Sequence, residues 1–244
     1  MAWLEVRNLT LKTDEATLLE DISFSLERGT ITLLAGRNGS GKSMLLKSIK
    51  GFTHAEGTIL LGGKALDKRR DRISSIGLVF QETELQIVGS TDEKDISFGP
   101  ENLGFSAAEC KAITDEAISL LGLEHVRGKS PSELSGGERR KLSIAGVIAM
   151  SPSVILLDEP LANLDYPATV KVIETLIRLK EKGFALLIAS HEAEKFLCHT
   201  DKTLIMKKGR LISDAPSEDS VATLRENDIY IPKNAEFEDL TWLK

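Results

Sequence analysis

Hydrophobic positions divide this chain into short alternating runs and longer helical stretches. Leu4, Val6 and Leu9 lead into a polar turn at Asp14-Glu15. Ile22, Phe24 and Leu26 then alternate with Ser23, Ser25 and Glu27, the period of two expected of half-buried strands. Residues 30–35 form an apolar strand pattern that stops at Gly36, and Leu45, Leu46 and Ile49 follow at helical spacing. This reads as strand, glycine loop, helix. Residues 58–61 and 76–80 predict further strands. Val154-Ile155-Leu156-Leu157 is a continuous apolar run, as in a strand covered on both faces. A helical pattern over 166–182 separates it from the next such run, 184–189, and Lys202–Lys207 begins another. Strands alternating with helices predict a parallel α/β sheet.

From about residue 89 to 150 the pattern changes. Ala107–Leu121 and 138–150 have helical spacing, and Gly122, Gly128, Pro131 and the Gly136-Gly137 pair mark loops between them. This middle part predicts a helical subdomain. The main domain is expected to span 1–215, with a short acidic tail over 216–244. In that tail, Ile229-Tyr230-Ile231, Phe237 and Trp242 offer apolar groups for the core or a second copy. Peripheral packing or fraying is the simpler expectation.

Composition narrows the class. The 244 residues are 41% hydrophobic and 28% charged, an ordinary globular mix able to bury a core without staples. The net charge of −6 gives no electrostatic reason to expect nucleic acid as a partner. Cys110 and Cys198 are isolated and lack metal-ligand spacing, so reduced thiols in a cytosolic protein are expected. The first residues lack a signal-peptide layout, and no apolar run reaches the roughly 18 to 20 residues that cross a bilayer. A membrane role would have to come through a partner.

The candidate chemistry is handling of phosphate. Gly36-Arg37-Asn38-Gly39-Ser40-Gly41-Lys42-Ser43 fits G-x-x-x-x-G-K-[ST]. Glycines let backbone N–H groups close on phosphates, and the helix N-terminus adds positive potential. Lys42 would reach the β- and γ-phosphates of ATP, and the Ser43 hydroxyl would be a ligand of Mg²⁺. Asp158-Glu159 closes the apolar strand at its carboxyl end. There Asp158 suits metal coordination, and Glu159 suits a general base acting on the attacking water. Either could also be an ordinary acidic strand end. Leu134-Ser135-Gly136-Gly137-Glu138 offers a hydroxyl and bare backbone at a helix start, a second anion site. Taken alone it is an ordinary loop and helix cap.

These motifs, in this order, resemble those of ATP-binding-cassette (ABC) ATPases over residues from about 4 to 233. The resemblance implies a RecA-like P-loop NTPase core with an antiparallel β subdomain and an inserted helical subdomain. It implies that Ser135, Gly136 and Gly137 close on the γ-phosphate held by a second cassette, in a homo- or heterodimer. It implies that Gln81, after strand 76–80, contacts Mg²⁺ or water and links the nucleotide to the helical subdomain. It implies that His191, after strand 184–189, contacts the γ-phosphate, and that Leu164-Asp165 ends a loop bridging the two subunits. The family usually offers an aromatic residue before the phosphate loop to stack on adenine. None stands between Trp3 and Phe24, which leaves Leu11, the stem of Lys12 or Thr13, and predicts weak adenine selectivity.

A narrower resemblance follows Gln81. Leu85-Gln86-Ile87-Val88-Gly89-Ser90-Thr91 and Asp95-Ile96-Ser97-Phe98-Gly99-Pro100-Glu101-Asn102-Leu103-Gly104 are similar to the ATPase subunits of energy-coupling-factor transporters for vitamins, cobalt or nickel. The segment departs from them at Glu82-Thr83-Glu84, where Pro and Asp are usual. The resemblance implies a groove for an integral membrane coupling subunit and a peripheral place on the cytoplasmic face of the membrane. Ile87, Val88 and Phe98 would line that groove, or, as readily for Phe98, pack inside the helical subdomain. A soluble cassette ATPase, such as one for iron–sulfur cluster assembly, would share every catalytic motif.

Overall fold

A computed structural model describes residues 2–243. The chain opens with two long antiparallel strands, β1 (Ala2–Lys12) and β2 (Thr17–Glu27), and then β3 (Ile31–Ala35) enters the glycine loop and α1 (Lys42–Lys50). Next come β4 (Glu56–Leu61), β5 (Lys64–Ala65), α2 (Arg69–Ser75) and β6 (Ile76–Val79). Helices α3 (Asp92–Asn102), α4 (Ala107–Leu121) and α5 (Gly136–Ile148) form the middle part. The chain then returns through β7 (Val154–Asp158), α6 (Tyr166–Glu181), β8 (Ala185–Ser190), β9 (Lys202–Lys207), β10 (Arg210–Pro216) and α7 (Val221–Glu226).

Two sheets result. A four-stranded antiparallel sheet runs β2-β1-β4-β5, and a six-stranded sheet runs β10-β9-β3-β8-β7-β6. Within the second, β9, β3, β8, β7 and β6 are parallel and β10 is an antiparallel edge. The period of two decides how the layers pack. Leu33, Ile155, Leu157, Leu186 and Ile188 face a core shared with α4, α5 and α6. Leu34, Val154, Leu156 and Leu187 face the opposite core, shared with α1 and the antiparallel sheet. Burial on both faces explains the unbroken apolar runs seen in the sequence.

The parallel register gathers the motifs. Ala35 pairs with Ser190, and Asp158 pairs with Ala189. The carboxyl ends of β3, β7 and β8 therefore lie side by side, with Gly36, Glu159 and His191 immediately beyond them. The tail does not fray. Ile229, Ile231 and Leu240 are buried in the same core as Phe196 and Leu197, with Phe237 and Trp242 packed against it. Among the described residues no helix is long and apolar enough to cross a membrane.

Candidate nucleotide site

Glycine is required where β3 turns into the phosphate loop. A Cβ on Gly36 would lie 2.5 Å from Ser40 Oγ and 2.7 Å from the Met206 carbonyl oxygen. Gly41 caps α1 at φ 108°, a left-handed conformation that disfavours side chains. The loop and its surroundings enclose a cleft of about 520 Å³ lined by Asn38, Gly39, Ser40, Gly41, Lys42, Ser43, Gln81, Glu159 and His191. The structure thus brings these predicted residues together. Gln81 is exposed at the rim.

The charged groups form one connected set. Lys42 Nζ donates to the Gly36 carbonyl at 2.7 Å and lies 3.3 Å from Glu159 Oε1. His191 Nδ1 lies 3.0 Å from the same Oε1, and the His191 backbone N–H donates to Glu159 Oε2 at 3.4 Å. Glu159 is only 5% exposed and sits at φ 45°, anchored by its N–H to the Ala189 carbonyl at 2.9 Å. A non-glycine residue held there stores about 1–3 kcal/mol, strain of the kind that collects at functional sites. Ser43 Oγ donates to Asp158 Oδ1 at 3.0 Å. Burial pushes the Asp158 carboxyl above its ordinary range; the Ser43 bond opposes this, and the adjacent Glu159 adds to it. A hydroxyl and a carboxylate in contact, with a second carboxylate beside them, form an all-oxygen donor set that fits a hard divalent cation. Ser40 Oγ is buried without a hydrogen-bond partner, a further polar atom in the loop.

The signature residues lie elsewhere. Ser135, Gly136 and Gly137 line a second cleft, of about 380 Å³, with His125, Glu138, Lys141, Leu164 and Asp165. Ser135 caps α5, and Glu138 returns the bond to the Ser135 backbone, a capping box. Asp165 caps α6 through the Ala168 N–H at 2.9 Å. Two helix N-termini therefore meet at this cleft.

Three features escape sequence reasoning. Leu11 is buried at 6% exposure and, with Lys12 and Thr13, does not line the loop cleft; the apolar side chains that do are Leu18 and, from α1, Met44. Leu11 pairs with Leu19 across β1 and β2. Alternation then turns Leu18 outward, a signal that strand period could have supplied. The second is the link from Gln81 to the helices. It runs through main chain, because buried Arg140 on α5 donates to the Phe80 carbonyl at 2.7 Å and the Gln81 carbonyl at 2.8 Å. The third is Gln86, which accepts from the Phe80 N–H at 3.0 Å and folds the segment after β6 back on itself. Leu85, Val88 and Phe98 are exposed, whereas Ile87 packs on the main core.

The family described as ABC transporter matches residues 19–162. The energy-coupling factor transporter ATP-binding protein EcfA of Methanocaldococcus jannaschii is 32% identical over 241 residues, which cover 95% of this chain and 86% of that protein. The cobalt import ATP-binding protein CbiO of Rhodobacter capsulatus is 36% identical, covering 80% of this chain and 72% of that protein. The structure of CbiO1 from Clostridium perfringens, part of the ABC transporter complex CbiONQ, matches with a TM-score of 0.84 at 30% identity, over 96% of this chain and 97% of that one. The chain belongs to the ABC transporter family and is an ATP-binding, ATP-hydrolysing α/β protein of P-loop NTPase fold.

Proposed function

We propose that the chain powers an importer of the energy-coupling-factor type, working in a pair of cassettes at the cytoplasmic face of a membrane coupling subunit. One observation carries the pairing: the phosphate loop and the signature loop line separate clefts. The loop cleft contains no residue of the signature, and the signature cleft contains none of Lys42, Ser43, Glu159 or His191. A second cassette, identical or related, would complete each site. The names of the relatives support the importer. The exposed Leu85, Val88 and Phe98, at 72%, 62% and 52% exposure beside the Gln81 segment, support an apolar contact with the coupling subunit.

In this reading Lys42 and the loop backbone hold the β- and γ-phosphates. Ser43 and Asp158, with Gln81 at the rim, would hold Mg²⁺, which supplies charge neutralisation at those phosphates. Glu159 takes a proton from water as the water oxygen bonds to the γ-phosphorus and the bond to the β-phosphate oxygen breaks. His191 orients Glu159 through Oε1 and faces the γ-phosphate. Closure around ATP moves α5, and Arg140 transmits that movement to the Gln81 segment and the docked partner.

The test is ATP turnover per chain against protein concentration, with and without membranes carrying the coupling subunit. Turnover that rises with concentration and co-fractionation with those membranes are expected. Concentration-independent turnover would overturn the pairing. Retention in the soluble fraction would favour a non-transport cassette, such as one for iron–sulfur cluster assembly.

A further inference from the structure

Glu138 stands where the signature loop would receive a phosphate, and its bonding obstructs that task. The Ser135 N–H and Oγ–H both donate to Glu138 Oε2, at 2.8 and 2.7 Å. The Glu138 N–H donates back to Ser135 Oγ at 3.3 Å. A hydroxyl has one proton, and here the carboxylate holds it. The bonds from Ser135, with a smaller contribution from His125, bring the Glu138 carboxyl down to about 2, so it is ionised at neutral pH. An arriving γ-phosphate therefore meets a like charge in the first turn of α5 and a hydroxyl already engaged.

The same cleft holds a counterweight. His125 Nε2 lies 2.7 Å from Oε1, the carboxylate oxygen that Ser135 leaves free. An ionised carboxylate only accepts hydrogen bonds, so Nε2 is the donor. The ring is carried by the turn Glu124–Val126, fixed between the buried Leu123 and Val126. The other charged side chains lining the cleft are Lys141, Asp165 and Lys171. Lys141 is committed elsewhere, donating to the Leu121 and Gly122 carbonyls at 2.7 and 3.2 Å, and Asp165 caps α6.

We propose that His125 is a positioning residue for ATP-driven pairing. By donating to Glu138 Oε1 while Ser135 still binds Oε2, it offsets the carboxylate's charge and keeps it held when the γ-phosphate of a second copy takes the Ser135 hydroxyl from Oε2. This rests on the reading that the signature loop completes a partner's site.

A double-mutant cycle tests it. His125→Ala and Glu138→Gln, singly and together, are introduced into the full chain carrying Glu159→Gln, which suppresses hydrolysis. Sedimentation at saturating ATP gives the dimer Kd, and ADP titration of the monomer gives loop affinity. His125→Ala should raise the dimer Kd on the order of tenfold where Glu138 is intact, within the range for coupled neighbours. It should do so by less than about twofold in the Glu138→Gln background, where no carboxylate remains to offset. ADP affinity should not move. An equal effect in both backgrounds, or none in either, overturns the proposal while leaving pairing intact. Failure of the parent chain to pair with ATP overturns both.

Discussion

Replacing Glu159 by Gln separates two roles that the geometry gives one side chain. Gln keeps the shape and the oxygen but removes the charge 3.3 Å from Lys42 Nζ. At an effective dielectric of about 20, the Coulomb attraction at that distance is roughly 5 kcal/mol. A lysine that retreats to about 6 Å to hold phosphate keeps roughly 3 kcal/mol of it. Nucleotide binding therefore forfeits about 2 kcal/mol, an upper bound because water reaches the cleft. Without the carboxylate this loss disappears, so binding should tighten by about 5- to 30-fold, equivalent to 1–2 kcal/mol. ADP is the ligand to use, because it has no γ-phosphate to close a pair of cassettes. Its affinity can be read from the quenching of a fluorescent analogue at low protein concentration. ATP turnover of the same variant should fall on the order of 10²- to 10⁴-fold. Unchanged or weaker ADP affinity would refute the view that Glu159 competes with phosphate for Lys42. Unchanged turnover would remove Glu159 from the role of base.

Other expectations rest on single contacts. Leu18→Tyr should tighten ADP binding by about fivefold or more, since base–aromatic stacking is worth roughly 1–3 kcal/mol. Thr13→Tyr should do less, because Thr13 is exposed and closes its own turn with Ala16; equal gains at both positions would misplace the adenine. Asp95 is buried, its carboxyl raised chiefly by desolvation, and it accepts from the Val88 and Gly89 N–H groups at 2.7 and 2.8 Å. A raised acid favours the folded state below its ordinary pKa, and that contribution is lost as pH rises through the raised value. Asp95→Asn should therefore be neutral or stabilising in urea unfolding at pH 7, whereas Asp95→Ala should cost about 1–3 kcal/mol by leaving two N–H groups unpaired. Burial lowers Lys50 from 10.5 to about 8, while its amine binds the Ile73 and Ile76 carbonyls. A lowered base penalises the folded state below that value, so stability should rise with pH between about 8 and 10.5, by up to roughly 3 kcal/mol. The difference from Lys50→Met, followed by thermal unfolding across that window, should grow with pH; a flat difference would refute the assignment.

How much of this was legible depended on whether a segment's role left a periodic trace. The phosphate loop and strands β3, β7 and β8 did, because burial on both faces demands unbroken apolar runs. Helices α2 and α3 left almost none. The first has no buried residue, and the second carries Gly99 and Pro100 and buries Ile96 as its one large apolar side chain. The order of α3 comes from capping: Thr91 accepts from the Lys94 N–H, and Asp92 accepts from the Gly128 N–H at 2.8 Å. The phosphate loop, Asp158-Glu159 and His191 came together because parallel register aligns strand ends, whereas Ser135, Gly136 and Gly137, at the start of α5, line a separate cleft. Arg140, Gln86 and Leu18 act through main chain or by strand face, which a motif does not encode. The tail illustrates the same limit. Ile229, Ile231 and Leu240 are sparse in sequence, yet each fills core space beside β8 and its following turns.

The phosphate-binding groups share a condition that bears on how ATP does work here. Lys42 is held by Glu159, Ser43 by Asp158, and Ser135 by Glu138. For buried Lys42 an unpaired charge would be costly, and Glu159 partners it; half-buried Ser43 and exposed Ser135 are partnered as well. Binding is then an exchange of partners, and each exchange nets about 0.5–1.5 kcal/mol rather than the gross strength of a bond. A ligand shifts a conformational equilibrium only by its difference in affinity for the two states. The energy available for closure is therefore the sum of small differences over two composite sites, and the internal carboxylates set each one. Weakening such a partner moves the chain toward the closed pair without adding any contact to the nucleotide. Glu159→Gln and Glu138→Gln should on this logic each favour closure, and because the two carboxylates lie in separate clefts of one chain but meet across the pair, their effects should couple rather than simply add.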